Sequence, residues 1–333
     1  MTTFSDGLYQ FGGVPVPIPM HALGKSWYVK PITGSNGNKG DKPTRALKTL
    51  AAAHAKAVYG DTVYLLAESN TASATTDYQS AVLTWSTDGV NLIGINCGAR
   101  IGQRSRIAQL STVKTIETLM NVTADNCLIA NIEIFQGVTS STATSPVALG
   151  VTGTRNHFYN CQISGNGDTG GSTDTAGARS LLLTGASENL FEKCYIGLDT
   201  VTRTTQEAEI QFLAGSTAVT RNIFESCIIS SYAGAAGFLW LTAAAAAGDC
   251  DRFNTFKDCQ FLNAIASAAT TMTAGISVHA SLGGMIILDD CPYVGASDMT
   301  AADSAKVKHI GFTNVSTTDI ESIGRMQSVD VVA

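Results

Sequence analysis

The chain has 333 residues, 44% of them hydrophobic and only 14% charged, against about 25% charged in an ordinary globular protein. Its 21 basic and 27 acidic residues leave a net charge of −6 with no basic patch, which argues against a nucleic-acid partner. No run approaches ~18 apolar residues, so no segment reads as a membrane span.

Residues 1–26 read as an extended N-terminal arm. Met1 to Met20 lack the basic start and unbroken apolar core of a secretory signal. They carry instead Phe4, Tyr9, Phe11, Pro15, Pro17 and Pro19, the residues expected to lie along a partner surface. Residues 27–61 read as an opening module with a capping helix from Pro43 to Val58. Pro43 suits a first helical turn, and Leu47, Leu50, Ala51, His54 and Val58 fall on one stripe. His54 is read as a packed or rim histidine rather than a ligand. Gly60-Asp61 then closes the helix, and Val63-Tyr64-Leu65-Leu66 is expected to be the first strand of a repeating region.

From 62 to 316 one phrase recurs: Asn156-x-Phe158-x-x-Cys161-x-Ile163, Asn189-x-Phe191-x-x-Cys194-x-Ile196, Asn222-x-Phe224-x-x-Cys227-x-Ile229 and Asn254-x-Phe256-x-x-Cys259-x-Phe261, with a degenerate copy ending in Cys291. The cysteines step by 33, 33, 32 and 32 residues, and a fixed period of that size means stacked units. Apolar residues at relative positions 0, 3 and 5 fit strand, corner, strand better than a helical face. A second strand phrase lies upstream in each period: Val151-Thr152-Gly153, Leu183-Thr184-Gly185, Leu213-Ala214-Gly215, Leu241-Thr242-Ala243. The expected architecture is all-β, a single-stranded right-handed parallel β-helix of roughly eight coils. At ~4.8 Å per coil the rod is about 40 Å long. Residues 317–333 are expected to form a C-terminal cap or tail.

The core ladder is Phe158, Cys161, Phe191, Cys194, Phe224, Cys227, Phe256, Cys259 and Cys291. Five of the eight cysteines occupy one inward slot, so they read as buried thiols, not disulfides or metal ligands, made in a reducing compartment. A glycan hydrolase needs two carboxylates about 5 to 10 Å apart on an outer face. The outward slots read Glu133, Gln162, Tyr195, Ile228, Gln260 and Pro292, with a single acid. The corners Glu192-Lys193, Glu225-Ser226, Lys257-Asp258 and Asp289-Asp290 read as solvated, mutually screening charges. The remaining acid candidates are Asp168 and Asp174 in the Gly-rich stretch 165–177, with Glu207 and Glu209 one coil later. No cofactor or metal site is expected.

Trp27-Tyr28-Val29-Lys30-Pro31, Gly34-Ser35-Asn36-Gly37-Asn38-Lys39-Gly40, the segment around Ala46-Leu47-Lys48-Thr49-Leu50 and Gly60-Asp61-Thr62-Val63-Tyr64-Leu65 together resemble the opening module of pectate-lyase-like right-handed β-helix proteins. Many of these are virion proteins of tailed bacteriophages, and the leader Phe4 to Pro15 is similar to the start of such proteins. The resemblance covers about 40 residues closely. It implies a virion structural protein, non-enzymatic because the glycan-degrading members carry outer-face acid clusters. The expected role is capsid decoration, with the major capsid protein or other virion proteins as partners. A homotrimer, made in the host cytoplasm, is expected. The alternative is a tail spike or fibre that binds or depolymerises host polysaccharide, and a weaker third reading is a cellular carbohydrate-binding β-helix.

Overall fold

Each copy of the phrase folds as strand, corner, strand. In the computed structural model, Phe158 lies in the strand His157–Tyr159, and Ile163 in the strand Gln162–Ser164. The structure describes residues 10–11, 14–15, 24–71, 75–96, 99–138, 142–165, 167, 177–203, 208–234, 236–264, 272–300 and 304–310. Their strands form three long parallel sheets. Sheet 1 has ten strands, from Ser26–Val29 to Val307–Ile310; sheets 2 and 3 have eight each, from Thr76–Gln79 to Tyr293–Val294 and from Leu83–Trp85 to Ala296–Thr300. The chain visits them in the order 1, 2, 3 and climbs one strand per visit, so every neighbour is a parallel strand from the next coil. This is the parallel β-helix that the repeat predicts.

Three ladders run through the stack. Phe158, Phe191, Phe224 and Phe256 pair in register and stack with ring centroids 4.5, 4.6 and 4.3 Å apart. Burying each such ring contributes about 1.5–3 kcal/mol. Cys161, Cys194, Cys227, Cys259 and Cys291 follow one slot later, and each thiol donates to a carbonyl of the preceding coil at 3.2–3.4 Å. All seven described cysteines are free and buried. Burial pushes the Cys127 and Cys250 thiols up to about 12, so they are poor nucleophiles.

The third ladder is asparagine. Asn156, Asn189, Asn222 and Asn254 are at most 1% exposed. The Oδ1 of each of Asn189, Asn222 and Asn254 accepts the backbone N–H of its counterpart one coil earlier, at 2.9 to 3.0 Å. Each Nδ2 donates back to a carbonyl of an earlier turn. The N–H groups of the buried Asn156, Asn189 and Asn222 would lack partners without these amides.

The corner from sheet 1 to sheet 2 falls one residue later than the phrase suggests. Tyr159 still belongs to the strand, and the turning residue is Asn160 in left-handed conformation. Asn131, Lys193, Ser226, Asp258 and Asp290 hold the same place with φ between 52° and 56°. Asn and Asp visit this region most readily of the non-glycine residues, and four of the six are Asn or Asp.

The first coil departs from expectation in two ways. Ser26–Val29 precedes Thr62–Leu66 in sheet 1, so the latter is not the opening strand. The cap is not one helix from 43 to 58 but a 3-10 turn, Pro43–Arg45, and the short helix α1, Leu50–His54. Between them the chain is extended, because Leu47 bridges Val29 as an added strand residue. The buried stripe is Leu47, Leu50, Ala53 and Ala57, while Val58 is 62% exposed. His54 packs on Trp85 with centroids 4.4 Å apart, and its Nε2 accepts the N–H groups of Ser86 and Thr87. Within the arm, Gln10–Phe11 pairs antiparallel with Val14–Pro15. Phe4, Tyr9, Pro17 and Pro19 lie outside the described residues, as do residues 317–333.

Candidate functional site

The outward row of sheet 2 runs in register through Arg106, Glu133, Gln162, Tyr195, Ile228 and Gln260. Its N-terminal part is roofed, not open. Gln162 accepts the Gly102 N–H at 2.6 Å, and Gln103 donates to the Asn160 carbonyl at 2.5 Å, so the segment around 102–103 lies over it. Glu133 is buried and pairs with Arg106 at 3.3 Å, and Arg106 in turn lies over the Phe135 ring. Burial raises the Glu133 pKa and the arginine draws it back.

Of the acid candidates, Asp168, Asp174 and Glu207 lie outside the described residues. Glu209, in the strand Ala208–Leu213, is 1% exposed and enclosed where sheets 2 and 3 meet. Ser180 Oγ donates to its Oε2 at 2.5 Å, and the Gly165 N–H donates to that hydroxyl oxygen at 3.0 Å. Desolvation pushes Glu209 up to about 7, against Ser180, Arg203 and Arg179, which favour the carboxylate. The arrangement holds a buried acid that titrates near neutrality; it is not a carboxylate facing an open surface.

The open site lies elsewhere, on the outer face of sheet 1 beside its turn from sheet 3. A groove of about 290 Å³ is lined by Tyr59, Gly60, Gly89, Asn91, Asn126, Cys127, Leu128, Arg155 and His157. Tyr59 is 71% exposed. Its ring lies so close to Gly89 that a Cβ there would sit 2.5 Å from it, and Gly89 has φ +66°, so both space and conformation favour glycine. Asn91 Oδ1 accepts the Leu128 N–H at 2.9 Å and Asn126 Oδ1 accepts from Arg155 Nε at 3.3 Å. Arg155 pairs with Glu188 at 3.5 Å, and His157 Nε2 lies 3.2 Å from Glu192. Glu188 also holds Arg221 at 2.6 Å, and Glu192 holds Lys193 at 2.9 Å.

Sequence reasoning missed this groove because its residues are scattered over about 100 positions that the coil period brings together. The available signals were slight: an aromatic before Gly60, and His157 in a slot that later coils fill with Leu190 and Ile223. Further along the same face Phe253 and Met285, 47% and 39% exposed, pair across adjacent coils, and Ile223, 42% exposed, lies opposite Thr255, two residues out of their register. Among the described residues no group of three or more His, Cys, Asp or Glu is placed to hold a metal ion, and no helix is long and apolar enough to cross a membrane.

No protein-family model and no curated protein matches the chain. Among solved structures, a rhamnogalacturonan lyase matches with a TM-score of 0.51 at 17% identity, over 86% of this chain and 66% of the lyase. The chain therefore spans just under two thirds of that protein's length. A pectin methylesterase from Aspergillus niger gives 0.45 at 15% identity over 86% of this chain and 84% of its own. A pectate lyase, Pel9A, gives 0.46 at 10% identity over 93% and 90%. The first likeness establishes a shared fold, the right-handed parallel β-helix solenoid, and at this identity it extends to the fold alone.

Proposed function

We propose that this chain is a non-enzymatic structural protein of a tailed-phage virion, a β-helical rod that decorates and stabilises the head shell as a trimer. Its N-terminal arm meets the major capsid protein. The observation that carries this reading is the use made of the outward acids. Glu133, Glu188, Glu192 and Glu225 are each engaged by Arg, His or Lys at 2.6 to 3.5 Å, as charge partners along the stack and not as a free pair flanking a glycosidic bond. The exposed Phe253–Met285 pair, with the exposed Ile223 on the same face, supplies a surface for a neighbouring subunit. The free thiols of all seven described cysteines agree with synthesis in a reducing cytoplasm.

The competing reading is a tail spike that binds or depolymerises host polysaccharide. A gold-labelled antibody on intact virions separates the two. Labelling over the head is expected; labelling at the tail tip transfers the rod to the spike, and no labelling on any particle removes the virion role. Deleting residues 1–20 is expected to leave a folded rod that no longer binds heads. Unchanged binding would mean that the arm is not the attachment.

A further inference from the structure

We infer that the groove beside Tyr59 is a binding site for a single neutral saccharide unit, whichever part of a particle the rod occupies. The groove offers the two kinds of surface a pyranose presents. Tyr59 and Leu128 face it with an aromatic ring and an aliphatic side chain, suited to the C–H face of a sugar. Asn91, Asn126, Arg155 and His157 supply donors and acceptors suited to its hydroxyls.

Charge selects the class of sugar. The Arg155 guanidinium is matched by Glu188 and the His157 ring by Glu192, while the other polar side chains, the Asn91 and Asn126 amides, the Tyr59 phenol and the Cys127 thiol, are uncharged. Glu188 is shared with Arg221 and Glu192 with Lys193, so each base lining the groove already has a carboxylate partner. An anionic sugar would have to displace Glu188 or Glu192, whereas a neutral one replaces water alone. Size sets the extent: about 290 Å³ falls just short of the roughly 300–1,000 Å³ typical of ligand pockets. That suits one ring, a chain end or a branch residue, and not a polymer laid along the rod. Gly89 and Gly60, both at positive φ, hold the turn on which the aromatic wall stands.

The test is an array of oligosaccharides ending in neutral hexoses, neutral N-acetylhexosamines or acidic sugars, probed with the full-length protein, followed by calorimetric titration of the best binder. Binding to a neutral terminus is expected. It should weaken about tenfold or more in Tyr59→Ala and in His157→Ala, and largely persist in Tyr59→Phe, which keeps the ring. Circular dichroism and melting of the three variants should match the parent, because Tyr59 and His157 lie on the surface of the stack. Binding confined to acidic termini, binding indifferent to Tyr59→Ala, or no binding on the array overturns the inference. Any of these leaves the head assignment untouched, and tail labelling leaves the saccharide site untouched.

Discussion

Asp77 occupies an inward slot in which the next coils carry Ile107, Ile134 and Ile163. It is 2% exposed, and its carboxylate accepts the Leu50 N–H at 2.8 Å, pinning the start of α1 over the open end of the core. Desolvation outweighs the hydrogen bonds from Leu50 and Gln79 and raises its pKa from 3.8 to about 6. A carboxyl raised on folding binds its proton more tightly in the native state, so stability is greatest below the unfolded value and falls as pH rises through the folded one. The contribution is about 3 kcal/mol, lost between about pH 4 and pH 6. Glu209, raised from 4.5 to about 7, gives a slope of the same sign over a slightly higher window. Asp77→Asn keeps an acceptor for Leu50 and is expected to remove the lower part of this dependence in urea melts from pH 4 to 7; adding Glu209→Gln removes the upper part. A double variant with the parent's pH profile would rule both residues out. Neither role could be read from sequence, where Asp77 precedes Tyr78 in an unremarked stretch and Glu209 looks like any loop acid.

The coil is the unit at the next scale, and the asparagine ladder is what makes one coil depend on the next. The repeated Asn was visible in every strong copy of the phrase, but its work was not, since it becomes apparent only when the backbone N–H of the coil below is in place. Asn222→Ala would leave the buried Asn189 N–H without its partner, whereas the Ala186 carbonyl keeps the Thr220 N–H. At about 1–3 kcal/mol for an unsatisfied buried group, a loss of about 1–3 kcal/mol is expected in chemical unfolding. Substituting Ala at the exposed Ile223, a residue away, should change stability by less than about 0.5 kcal/mol. Equal effects at the two positions would deny the ladder its role. The corner residue was hidden for a different reason. Left-handed backbone is carried here by Lys193 and Ser226 as well as by Asn and Asp, so side-chain type alone does not mark it.

At the scale of the whole molecule, the stack turns a sequence period into continuous stripes along a rod. The acids and bases at positions 192, 225 and 257 form one stripe, with Lys257 reaching Glu225 at 2.7 Å across coils. The exposed Phe253–Met285 pair lies on the same face. If that pair is the subunit interface, Phe253→Glu with Met285→Glu, both at exposed positions, should convert a trimer to a folded monomer in sedimentation equilibrium. A parent protein that already sediments as a monomer removes the trimer from the proposed function.

The repeat period and the spacing 0, 3, 5 were enough by themselves to determine the β-helix, its inward ladder and its buried thiols, because a structure that pairs each coil with the next writes its geometry directly into one dimension. Tertiary structure alone decided which outward residues meet water. It roofed Gln162 with the segment around 102–103, enclosed Glu209 at a corner, broke the cap into a turn and a short helix by pairing Leu47 with Val29, and opened a groove between Tyr59 and residues about 100 positions away. Those outcomes depend on how loops of irregular length fold back over the stack, and a periodic signal carries no information about them.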